Sequence, residues 1–147
     1  MNKLVLTTAA AAVLAATTMA ARAEETNPTI VHRQAIYKVV NGHMNNLKAA
    51  LFLKGQTDAV AYDADAIVAA FQHMGDAYPE GSDKGETKAK SNIWTERPKF
   101  QEAGKKAFGA AQTLAEAAKS GDQAKTTDAF KALGGACKAC HEDFRKD

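Results

Sequence analysis

The sequence lacks any second group of cysteine and histidine residues beside Cys137, Cys140 and His141, and those two cysteines are the only ones in 147 residues. A structural zinc site needs about four ligands, so three clustered candidates are too few. Convincing strand patterns are also missing. That removes the strand expected before a thioredoxin-type dithiol and points to an all-α fold. Beyond an N-terminal stretch too short and too alanine-rich for a convincing span, no segment approaches the ~20 apolar residues of a membrane helix, so no membrane insertion is expected. An excess of one charge is nearly absent as well, with 19 Lys and Arg against 17 Asp and Glu. The +2 balance is supplied by Lys3 and Arg22, which lie in a segment expected to be removed. Without a basic surplus there is no electrostatic footprint for nucleic acid.

That removable segment is an export signal in pattern: Asn2 and Lys3 form a short cationic start, Leu4 to Met19 an alanine-rich apolar stretch, and Ala21-Arg22-Ala23 a small-x-small cleavage site. Residues 1–23 are expected to be cleaved. Residues 24–147 then make one soluble, exported domain with one core. They contain no repeat and no low-complexity tract.

What the chain does have is Cys137-Lys138-Ala139-Cys140-His141, the Cys-x-x-Cys-His signature of covalent c-type haem attachment. On a helix at about 100° per residue, the three side chains fall in one arc of about 100°. Two thiols can then reach the edge of one planar macrocycle while the imidazole donates a nitrogen to its iron. A plain disulfide between the cysteines is the competing reading, and it leaves His141 as coincidence.

Apolar periodicity lays out four helices. Arg33, Ile36, Tyr37, Val40, Met44, Leu47 and Leu51 share one stripe, predicting a helix over Thr29 to Leu53 with Gly55 as its stop. Asp63, Ile67, Ala70, Phe71 and Met74 predict a second from Asp58 to Ala77, closed by Pro79. Residues 78–91, with Pro79, Gly81, Ser82, Asp83 and Gly85, read as the one long loop. A third helix runs to Lys119 on a face from Phe100 to Ala118, capped by Ser91 or Asn92; it either kinks at Pro98 or starts at Thr95 with Pro98 in its first turn. Ser120-Gly121-Asp122 leads into a fourth, Gln123 to Arg145, whose apolar face holds Phe130, Leu133, Cys137, Cys140, His141 and Phe144. The haem-binding residues share the core-facing stripe, so an antiparallel up-down-up-down four-helix bundle should enclose the cofactor.

With these residues in hand, the chain resembles the cytochrome c′ family, the high-spin branch of the class II c-type cytochromes. The resemblance rests on the C-terminal haem signature followed by Phe144-Arg145-Lys146, on Arg33-Gln34-Ala35, and on Asn92-Ile93-Trp94. Lys54-Gly55-Gln56 with Tyr62-Asp63-Ala64 is similar to the family's first interhelical turn. The resemblance implies one covalent haem c held by Cys137 and Cys140, with His141 as the proximal iron ligand. It implies Arg33 and Gln34 at the haem edge and Tyr37 over the far side of the iron. A five-coordinate ferrous iron in a periplasmic protein would then bind NO or CO, or exchange electrons with small redox proteins. Homodimers through the first two helices are also implied.

The residues add their own weight and alternatives. Tyr37 lies on the inward stripe one turn from Arg33, and a neutral phenol with a pKa near ~10 shields iron better than it binds it. Met44 shares the stripe about 10 Å further along. A different register would make it the sixth ligand of a low-spin electron carrier. A haem peroxidase is a more distant alternative, because peroxidases want polar distal groups and only Tyr37 and Arg33 are near; the chain is expected not to be an enzyme. Arg33 on an apolar stripe calls for an anionic partner such as a haem propionate. Arg145 is read as solvated, His32, His43 and His73 as exposed, and Trp94 as packing at the start of the third helix.

Overall fold

The computed structural model of the chain describes residues 27–55 and 58–147. The export signal expected over residues 1–23, and Gln56, lie outside them. Helix α1 spans Pro28–Phe52. Asn27 caps it through its side-chain oxygen, which accepts from the Thr29 amide at 3.0 Å, and Pro28 fills the first turn, where its missing N–H is not needed. The stop differs from expectation in detail. Lys54 takes the left-handed backbone, with φ 55°. Gly55 donates to the Ala49 carbonyl at 3.0 Å, and a Cβ there would crowd that carbonyl at 3.0 Å, so a larger residue would have to push the backbone of α1 aside.

Helix α2 covers Val60–Gln72, shorter than the predicted reach to Ala77. From His73 onward the amides donate three residues back, to Ala70, Phe71 and, from Ala77, Met74. The chain tightens into successive turns around Gly75, a poor helix former. The third predicted helix is divided. A single turn, α3 (Asn92–Thr95), precedes α4 (Arg97–Lys119), and Glu96 separates them. Pro98 sits in the first turn of α4, the place a proline is tolerated. Gly121, with φ 74°, makes the tight link to α5 (Gln123–Phe144), which Asp122 caps by accepting from the Lys125 amide at 3.0 Å.

The four long helices form an antiparallel bundle. Leu47, Ile67, Leu114 and Leu133, one from each, are fully buried at its centre. Each contributes about 1.5–3 kcal/mol by leaving water. Helix α4 packs chiefly on α5 and α2, and α2 on α1, while α1 and α5 meet only lightly. A second cluster of Ala77, Tyr78, Ile93 and Phe144, with Tyr37, Trp94 and Phe100 packed against it, lies apart from the main core. Among the described residues no helix is long and apolar enough to cross a membrane.

His32 and His73 are exposed, as expected, but His43 is not. Its Nδ1 lies 2.7 Å from Oδ1 of Asp63, a buried carboxylate that also accepts from Asn46 at 3.4 Å. Asp63 occupies the inward stripe of α2, and a buried carboxylate must be partnered. That need draws His43 into the seam between α1 and α2.

Candidate functional site

The light contact between α1 and α5 leaves a cavity of about 480 Å³, within the ~300–1,000 Å³ of cofactor sites. Cys137, Cys140 and His141 from α5 line it, together with Tyr37, Val40 and Met44 from α1. Phe71, Ile93, Phe100 and Phe144 add apolar surface, and Thr87, Lys88 and Ala89 border it from the long loop. The helical spacing that places the two sulfurs and the imidazole in one arc therefore aims all three at one space. Below them on α5, Leu133 is fully buried and locks the helix into the main core.

Burial pushes the thiols of Cys137 and Cys140 up from their ordinary value. A thioredoxin-type dithiol works through a depressed thiol pKa, so these sulfurs are not set up for disulfide exchange. His141 is exposed, and its partial desolvation, then the Arg145 charge, hold its imidazole below the usual range. A neutral imidazole is the form that ligates a metal. No three His, Cys, Asp or Glu side chains among the described residues are grouped to hold a bare metal ion. The donor set fits a planar macrocycle: two thiols for its edge, one imidazole for its iron, and largely apolar walls.

On the α1 side, Tyr37 borders the cavity and is half-buried. Burial first, then the neighbouring Tyr78, drive its phenol pKa far above the ordinary value. The Tyr78 hydroxyl donates to the Tyr37 hydroxyl at 3.0 Å. Both phenols are therefore neutral at physiological pH.

Arg33 also lines the cavity and is 3% exposed, which rules out a side chain extended to solvent. Its guanidinium organises the long loop. Nη1 donates to Ser82 Oγ at 3.0 Å, and Nη2 to the Ser82 carbonyl and to Thr87 Oγ1, both at 2.7 Å. Gln34 Nε2 donates to the Glu86 carbonyl at 2.8 Å. The Arg-Gln pair thus ties the loop along the mouth of the cavity. From the other side, Ala89 pairs with Arg145 in an isolated antiparallel bridge, Lys90 N donates to the Phe144 carbonyl at 3.0 Å, and Lys146 N to the Lys88 carbonyl at 2.7 Å. Arg145 itself is exposed. Trp94, read as packing, does pack on Tyr78 and donates from Nε1 to the Pro79 carbonyl at 2.8 Å.

Sequence reasoning brought Cys137, Cys140, His141, Arg33, Gln34 and Tyr37 forward, and all six border the cavity. It missed Tyr78, Ser82 and Thr87. The available signal was indirect: a buried Arg33 demanded oxygen partners, and a Tyr-Pro pair opens an otherwise polar loop.

Comparison with known proteins places these features in a family. A family model described as Cytochrome C' matches residues 28–145. The cytochrome c′ of Pararhodospirillum photometricum is 37% identical over 121 residues, which cover 80% of this chain and 95% of that protein. That of Rhodospirillum rubrum is 34% identical over 100% of both chains. The solved structure of a cytochrome c′ with ligand-controlled dimer dissociation is 33% identical, with a TM-score of 0.77 over 81% of this chain and 95% of that one.

Proposed function

The chain belongs to the cytochrome c′ family and so is a class II c-type cytochrome with one covalent haem c, and on that footing we propose that its iron is five-coordinate and high-spin, open to NO or CO and to electron exchange. In this reading Cys137 and Cys140 form the thioethers and His141 supplies the proximal nitrogen. When bound, the haem would supply a redox-active iron able to take up a small ligand. Tyr37 covers the far side of the site without coordinating. Arg33 and Gln34 hold residues 82–87 at the mouth, and the largely apolar walls favour a small uncharged ligand.

The single observation that carries this reading is the state of Tyr37. Its ring lines the cavity, its phenol is kept neutral by burial, and its hydroxyl is engaged by Tyr78. A neutral phenol is a poor iron ligand. One observation favours a second reading: Met44 borders the same cavity, and its thioether as sixth ligand would make a low-spin carrier. Absorption spectra of the reduced holoprotein before and after CO separate the two. A broad spectrum that changes with CO supports the open site, and sharp bands indifferent to CO support Met44.

The protein acts in the periplasm, exchanging electrons with small redox proteins, and it is not an efficient enzyme. Among the described residues the α1 and loop side of the cavity offers two neutral phenols, a guanidinium tied to the loop and the amines of Lys38 and Lys88, but no carboxylate or imidazole, whereas peroxide chemistry needs groups that move protons at neutral pH. Steady-state peroxidase turnover abolished by Tyr37→Phe would refute that. A homodimer through α1 and α2 belongs to the same reading. Val31 and Val39, two turns apart on α1, and Tyr62 on α2 are exposed, and the Tyr62 ring sits edge-on to His43 of α1.

A further inference from the structure

We propose that Tyr78 is a positioning residue for the far side of the site: its hydroxyl holds the Tyr37 ring across the cavity and thereby sets how fast a small ligand enters. The inference rests on the open-site reading above. Tyr78 opens the long loop and is 7% exposed. Its carbonyl accepts from Arg97 Nη1 at 2.7 Å, which fixes its backbone to the start of α4. Its ring is held on several sides. The Arg33 guanidinium carbon stands 5.0 Å from its centroid, Phe100 meets it in a T-shaped contact at 4.8 Å, and Trp94 lies tilted at 6.2 Å. Phe100 is in turn stacked edge-on with Phe144 at the end of α5.

Tyr37 is held less firmly. It lies on the cavity wall, half-buried, and its hydroxyl bonds to that of Tyr78 at 3.0 Å. A ring bordering a cavity turns about its side-chain torsions unless something holds its far end, and here the closely packed Tyr78 does so. Arg33 reinforces the arrangement by stacking on Tyr78 while gripping Ser82 and Thr87. The chain Arg33, Tyr78, Tyr37 thus runs from the loop to the ring over the site. Removing the Tyr78 oxygen alone leaves every ring contact in place, so Tyr78→Phe isolates the hydrogen bond.

The test uses the holoprotein. CO association to the ferrous wild type, Tyr78→Phe, Tyr37→Phe and the double variant is followed by flash photolysis. Urea unfolding of the same four proteins supplies a readout independent of gas. Tyr78→Phe is expected to bind CO about three- to tenfold faster, the factor carried by one net hydrogen bond. The double variant should be no faster than the quicker single variant, and the two substitutions should be non-additive in unfolding. An unchanged CO rate in Tyr78→Phe would overturn the positioning role and leave the open site intact. Additive unfolding effects would overturn it too, by showing that the hydroxyls are not coupled. A wild type that does not bind CO would instead remove the open-site reading, and ligand entry with it.

Discussion

Arg33 and Ser82 are joined at two points across 49 residues of sequence, Nη1 to the serine hydroxyl at 3.0 Å and Nη2 to its carbonyl at 2.7 Å. A planar fork presents two nitrogens to these oxygens in a fixed geometry, which the single nitrogen of an ammonium does not reproduce. Arg33→Lys should therefore cost about 2–4 kcal/mol of stability, because buried oxygens lose charged donors. Urea unfolding checks the magnitude. Limited proteolysis should show new cleavage within residues 78–91, and an unchanged midpoint with an uncut loop would contradict the clamp.

Alkaline stability follows from the two phenols. Burial raises both the Tyr37 and Tyr78 pKa above the ordinary 10.0. The folded chain therefore keeps protons that the unfolded chain releases above about pH 10. Stability contributed by these groups is fully present below that pH and declines as pH rises past it. Urea midpoints between about pH 8 and 11 should fall at the alkaline end, and less steeply in Tyr37→Phe.

Attachment through sulfur is tested by extraction. Cys137→Ser or Cys140→Ser should leave haem held by one thioether, and the double substitution should release it into acidified organic solvent. Haem that resists extraction from the double variant would contradict the assigned bonds.

The proposed homodimer would use the exposed α1 face. Val39, 50% exposed, lies on the same face as Val31, and Val39→Glu should shift the holoprotein toward monomer in sedimentation velocity by placing like charges against each other. A wild-type dimer indifferent to this change would move the interface elsewhere.

Legibility in the sequence tracked locality. The haem signature spans five residues, so helix geometry alone brought its sulfurs and imidazole together. The stripe from Ile36 to Leu47 announced which side of α1 faces inward. The split at Glu96 was half-visible, since Pro98 called for either a kink or a place in a first turn, but nothing marked the separate turn of α3. Asp63 was placed on the inward stripe, yet its partner His43 was not recognised, because the pairing joins two helices. Tyr78 was hidden most completely. It sits in a segment without periodicity, and its partners Arg33, Tyr37, Arg97 and Phe100 come from two other helices.

The open coordination position is the central claim, and resonance Raman spectroscopy of the ferrous holoprotein at neutral pH tests it most directly through the bands that report coordination number and spin. Five-coordinate, high-spin markers are predicted for the wild type, and they should persist when Met44 is replaced by Leu. Six-coordinate, low-spin markers that turn high-spin in Met44→Leu would contradict the account and make the methionine the sixth ligand.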